Sequence, residues 1–159
     1  MAQEGKRAAD SRVTLTQVMG PGEANILGNV HGGTLMKLCD EAGAMAATKH
    51  ARRPAVTVAV DSMAFHSPVQ IGNLVTVTAE ITWTGRSSME TRVVVTAENA
   101  LTGEMTHANT AYFVYVALDE QGRPAVVPPL LCETEEEQAR YQRAAARQAL
   151  RLKRRQEKV

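Results

Sequence analysis

The 159-residue chain is long enough for one domain with a real core and too short for two ordinary ones. Its 18 Lys and Arg balance 17 Asp and Glu, so no overall field steers it to nucleic acid or to a membrane surface. Cys39 and Cys132 fit neither a disulfide framework nor paired zinc-ligand spacing, and no segment has the apolar length of a bilayer span or a signal h-region, so a soluble, cytoplasmic protein is expected.

Residues 1–11 are polar and are expected as a flexible tail. In "RVTLTQVM", Val13, Leu15 and Val18 sit among polar residues, which predicts a first strand that the turn residues "GPGEAN" then end. From Gly33 to about His50, Leu35, Leu38, Cys39, Ala42, Met45 and Ala46 follow helical spacing in a helix that is apolar nearly all round. Such a helix belongs inside the fold, and Ala42, Gly43, Ala44, Ala46 and Ala47 let another layer approach its backbone.

Four β-rich runs follow, at 55–66, 74–85, 88–100 and 105–118. In the second, Val75, Val77, Ala79, Ile81 and Trp83 alternate with threonines and Glu80, giving one buried and one wetter face. The short connections "SPVQIGN", "GRS" and "LTG" predict antiparallel neighbours, a meander after one helix in an α+β plan. The last segment opens on a capping box, Thr134 with Glu137, and acids lead while bases follow, as a helix dipole prefers. Its thin stripe of Tyr141, Ala145, Gln148 and Leu152 predicts a surface helix. The expected division is thus a tail to residue 11, a single domain over 12–131 and a charged helix over 132–159.

The stretch "GNVHGGTLMKLCDEAG" carries the candidate chemistry. A helix starting near Gly33 exposes backbone N–H groups at its mouth, and Gly32 with Gly33 leaves room for a carbonyl or phosphate oxygen. Asp40 lies two turns further on, about 10 Å along the axis, so one carbonyl cannot reach both groups of the same helix. Two such helices antiparallel about a twofold axis would close that gap twice, which predicts a homodimer with shared sites. In that arrangement Gly33 holds the carbonyl oxygen, Asp40 activates water or attacks directly, Asn29 orients either through its amide, and His31 locks the loop. The plain alternatives also stand: solvated acids at Asp40 and Glu41, a tight turn at the glycines, and structural roles for Asn29 and His31.

"GNVHGGTLMKLCDEAGAM" followed by "VTVAVDSMAFHSPVQIGNLVTVTAEITWTGRSSMETRVVV" closely resembles the hotdog-fold acyl-CoA thioesterases, and looks most like the brain-type acyl-CoA hydrolases and their bacterial single-domain relatives. The resemblance runs from about Leu15 to Pro129 and continues into "ETEEEQARYQ". It implies a long central helix wrapped by a curved antiparallel sheet, hydrolysis of fatty acyl-CoA to fatty acid and CoA, catalytic residues from opposite units at Asn29 and Asp40, and three dimers forming a hexamer. It also implies that Arg86, Ser87 and Ser88 lie near the CoA pantetheine or phosphates, and that Val58, Asp61 and Met63 line or support the acyl pocket. No cofactor is implied, because CoA belongs to the substrate, and neither nucleic acid nor membrane is an expected partner.

Other readings are weaker. A phosphate loop lacks its lysine between Gly33 and Thr34, and His31, His50, His66 and His107 have no metal-ligand spacing. Cys39 has no His at a useful helical offset to make it a nucleophile. The competitors are a non-enzymatic acyl-CoA sensor, a hotdog hydratase, and a nucleic-acid binder using Arg140, Arg143, Arg147, Arg151, Lys153, Arg154, Arg155 and Lys158, for which a solvated basic face is the usual explanation.

Overall fold

The computed structural model describes residues 3–158. In chain order it contains β1 (Lys6–Arg7), α1 (Ala8–Ser11), β2 (Val13–Val18), α2 (Gly32–Ala51), β3 (Ala55–Phe65), β4 (Leu74–Thr84), β5 (Ser88–Glu98), β6 (Met105–Ala117), β7 (Leu130–Leu131) and α3 (Glu135–Gln156). Five strands form one antiparallel sheet in the order β2-β4-β5-β6-β3, and α2 lies across one face of it. The helix buries Leu35, Leu38, Cys39, Ala42, Ala46 and Ala47 in a single cluster with Val75, Val77, Val93, Val95 and Phe113 of the strands. Its small residues are what let the sheet close over it.

The strand order corrects the expected meander. Only β4, β5 and β6 run consecutively, while β3 pairs with β6 at the far edge. Reaching β4 from there means crossing three strand spacings, about 15 Å, which the eight residues 66–73 span easily in extended form. A short connection therefore did not imply adjacent strands. The crossing segment runs past the loop before α2, where Val30 N–H donates to Val69 O at 2.7 Å and Asn29 bridges Gln70.

As the outer strand, β3 leaves one edge unpaired and is bulged twice, at Val58 and at Asp61, where register with β6 slips. Each bulge re-aims the side chains beyond it. Val56, Val58, Val60 and Phe65 remain exposed along this edge, an unusual load of apolar surface for a strand facing water.

Residues 6–11 are not a tail. β1 pairs in parallel with β7, Ala8 and Ser11 are buried, and Lys6 Nζ donates to His50 O at 2.8 Å, a cation on the last turn of α2. The polar composition concealed an anchor made of one charge and two small side chains.

The arginines of α3 are a third correction, because three of them are ion-paired rather than solvated. Spaced 7 and 4 residues apart on one face, Arg140, Arg147 and Arg151 reach the sheet's acids: Arg140 meets Glu80 at 2.8 Å, Arg147 meets Glu90 at 2.7 Å, and Arg151 meets Asp61 at 2.7 Å. Glu90 is fully buried, and Arg147 also stacks over the Tyr112 ring at 4.0 Å. Thr134 and Glu137 form the expected capping box. Among the described residues no helix is long and apolar enough to cross a membrane.

Candidate active site

The two adjacent acids of α2 part company. Glu41 is exposed beside Lys37, one turn away at 3.9 Å, whereas Asp40 is half-buried and turned toward the sheet. There Thr57 Oγ1 donates to Asp40 Oδ1 at 2.6 Å, and the Tyr115 hydroxyl lies 3.1 Å from the same Oδ1 and 3.0 Å from the Asp40 backbone oxygen. Thr57 and Tyr115 are register partners on β3 and β6, so their hydroxyls stand side by side under the helix. Among the described residues nothing donates to Oδ2.

Tyr115 is fully buried, and burial followed by the nearby Asp40 charge pushes its phenol up, so it stays a proton donor. It reaches Asp40 through a gap that only glycine leaves. A methyl on Gly43 would collide with the Tyr115 hydroxyl and stand 3.0 Å from Thr91 Oγ1. Cys39, beside the acid, is pushed up to about 12 by burial and then by the Asp40 charge, which leaves it an inert packing group.

The mouth of α2 is built by the preceding loop. His31 is the N-cap, and its Nδ1 accepts the Gly33 N–H at 2.9 Å, so that donor, expected to hold a carbonyl oxygen, is already engaged. Thr34 N–H donates to His31 O, which leaves Gly32 N–H as the unclaimed donor among the described residues. Glu23 accepts from Thr34 Oγ1 at 2.8 Å and ties the loop to the first turn.

Asn25 Oδ1 accepts the N–H groups of Leu27 and Asn29 at 2.9 and 3.1 Å. Among the described residues its amide NH2 donates to no protein group. Asn25, Asn29, Gly32, Leu35, Phe65 and Val69 line a cleft of about 300 Å³ at this end of the helix.

The remaining candidates assemble elsewhere. Val58, Ser87 and Ser88 line a groove of about 750 Å³ with Arg151, Arg154 and Arg155, on the side of the sheet that carries α3. Arg86 is exposed and lies outside that lining, contributing a backbone oxygen to Val127 N–H. Met63 is half-buried against the core. Asp61, expected at the acyl pocket, is held by Arg151 instead, because the bulge at its position turns it toward α3. Within one chain neither cleft includes Asp40.

Sequence reasoning missed Tyr115, Thr57 and Asn25. The first two read as ordinary strand residues until register is known, and Asn25 read as the end of a turn.

Residues 27–104 match the thioesterase superfamily. The cytosolic acyl coenzyme A thioester hydrolase of Rattus norvegicus is 35% identical over 139 residues, which are 86% of this chain and 36% of that protein, so the chain spans about a third of that relative's length. A Bacillus subtilis (strain 168) protein named as an uncharacterized acyl-CoA thioester hydrolase is 37% identical over 84% of this chain and 78% of its own. An apo-hexameric acyl-CoA thioesterase superposes with a TM-score of 0.91 at 38% identity, covering 96% of this chain and 97% of that one. Staphylococcus aureus acyl-CoA hydrolase, solved with butyryl coenzyme A and coenzyme A, gives a TM-score of 0.88 at 32% identity, covering 96% of this chain and 93% of that one. That enzyme was also solved as variants with an aspartate, an asparagine or a threonine changed to alanine.

Proposed function

The chain belongs to the acyl-CoA thioester hydrolases of the thioesterase superfamily, and on that premise we propose that it hydrolyses fatty acyl-CoA to fatty acid and CoA at sites shared between two protomers. The observation that carries the reading is a carboxylate clamped by two hydroxyls beside an unpaired, apolar strand edge. Asp40 Oδ2 takes a proton from water as the hydroxyl oxygen bonds to the thioester carbon. Collapse of the tetrahedral intermediate breaks the C–S bond, and the thiolate leaves with the proton that Asp40 held.

The developing oxyanion requires donors that Asp40's own helix cannot bring within reach, since its mouth is two turns away. A second protomer paired along β3 covers the exposed Val56, Val58 and Val60 and carries its helix mouth toward this carboxylate. In the Staphylococcus aureus variants the asparagine stands fifteen positions before the aspartate and the threonine seventeen after it. The same steps from Asp40 reach Asn25 and Thr57. The amide role expected of Asn29 is therefore proposed for Asn25, with Gly32 N–H beside it. Asn29 becomes its support, since Asn25 N–H donates to Asn29 O at 2.7 Å.

A trimer of such dimers is part of the proposal, supported by the hexameric state named for related thioesterases, and a cytoplasmic setting is supported by the rat relative's name. Ser87 and Ser88 are proposed to meet the CoA portion, supported by the basic groove they line. The test is thiol release from acyl-CoA substrates of graded chain length. Wild type should release thiol, Asp40→Asn should lower kcat about 10²- to 10⁴-fold, and Glu41→Gln should stay near wild type. Binding without thiol release would favour a sensor, and water uptake across a carbon–carbon double bond with the thioester intact would favour a hydratase.

A further inference from the structure

We infer that Tyr115 is the positioning residue of the site: its phenol, with the Thr57 hydroxyl, holds one oxygen of Asp40 so that Oδ2 alone is presented to the reacting water. This rests on the reading of Asp40 as the catalytic base. Three observations carry it.

The first is convergence. Thr57 and Tyr115 approach Oδ1 from adjacent strands at 2.6 and 3.1 Å, which removes one of the carboxylate's two oxygens from the chemistry. The second is rigidity. Tyr115 is fully buried and also donates to the Asp40 backbone oxygen at 3.0 Å, so a single phenol fixes the helix turn and the side chain on it together. Thr57, on the exposed edge strand, lacks such support. The third is the space left for it, since Gly43 stands one turn after Asp40 where any side chain would displace the phenol.

The two hydroxyls also hold different stakes. Thr57 can satisfy its hydroxyl with water when the edge is open, whereas the buried phenol is confined to partners inside the fold, the Asp40 turn and the neighbouring threonine hydroxyls. Tyr115 is thus the member of the pair that keeps its geometry before a substrate or a second protomer arrives. Its protonation is secure, because burial and the adjacent carboxylate both disfavour the phenolate.

Tyr115→Phe tests the inference, assayed by thiol release with Asp40→Asn run in parallel. Loss of a hydrogen bond to a charged group should lower kcat about 10- to 100-fold with KM within about twofold. Circular dichroism should match wild type, and a loss that falls on kcat while KM holds is a split that a merely structural tyrosine would not produce. An unchanged kcat in Tyr115→Phe, with Asp40→Asn inactive, would overturn the positioning role alone. An active Asp40→Asn would overturn the site assignment itself. Thr57→Val supplies a second readout: the phenol should then hold Oδ1 unaided and kcat should fall less than in Asp40→Asn. A fall as deep as that of Asp40→Asn would show that Tyr115 does not hold the carboxylate.

Discussion

Replacing Gly43 by alanine sets two opposing effects against each other. In a helix interior the change gains about 1 kcal/mol from the lower entropy of the unfolded chain and the better helix propensity of alanine. Here the new methyl would stand 3.0 Å from Thr91 Oγ1 and from Tyr115 Cζ, and would collide with the phenol oxygen. Neither obstacle is a flexible side-chain end, since Tyr115 is fully buried and sits in a strand paired on both sides. Overpacking of this kind costs about 1–3 kcal/mol, so the net effect is a loss of about 0–2 kcal/mol and a fall in Tm of up to about 8 °C for a domain of this size. The catalytic effect should be larger than the thermal one. A displaced phenol no longer reaches Oδ1, so kcat should fall about 10- to 100-fold, as in Tyr115→Phe, and the two changes combined should cost little more than either alone. Thermal melts at fixed protein concentration and thiol-release kinetics read both quantities. A Gly43→Ala protein with raised Tm and unchanged kcat would refute the packing argument.

Two further outcomes follow from the rest of the fold. Arg147→Met strips the fully buried Glu90 of its 2.7 Å partner but leaves it Arg151 at 3.3 Å and the Thr82 hydroxyl at 2.9 Å, so it should cost about 1–3 kcal/mol in a denaturant titration, and the double change with Glu90→Leu should recover much of that loss. His50 is buried, with one ring nitrogen on Pro128 O at 2.9 Å, and burial lowers its pKa from the ordinary 6.5. The unfolded chain therefore binds the proton first, so this contribution to stability is full above about pH 6.5 and is lost as pH falls from there toward the folded pKa. A Tm profile that falls below pH 6.5 in wild type and flattens in His50→Gln is expected.

Much of the architecture was legible because it rests on local patterns. The helical spacing of Leu35, Leu38, Cys39, Ala42 and Ala46 marked α2 to within a residue or two, and Thr134 with Glu137 marked the start of α3. What escaped was non-local. The place of β3 beside β6 depends on how far eight residues can reach, which periodicity does not encode. The arginines of α3 looked like a solvated face because their partners, Glu80, Glu90 and Asp61, lie on strands 57 to 90 residues away in sequence. The site behaved the same way. Asp40 stood out as an acid in an apolar helix, but Thr57 and Tyr115 acquire meaning only from their shared register, which two bulges in β3 set. Position at the helix start makes Gly33 look like an open donor, and the His31 side chain that occupies it is set by a loop conformation the sequence does not encode.

The central claim is that one site draws Asp40 from one protomer and the Asn25 helix mouth from another. Two inactive proteins, Asp40→Asn and Asn25→Ala, can be mixed, dissociated and reassembled, and the thiol released from acyl-CoA compared with that of each alone. Shared sites predict that each mixed dimer regains one intact site of its two, so random pairing should restore about a quarter of wild-type activity. Reassembly that forms mixed dimers yet restores no activity would place all the catalytic groups within one chain and contradict the account.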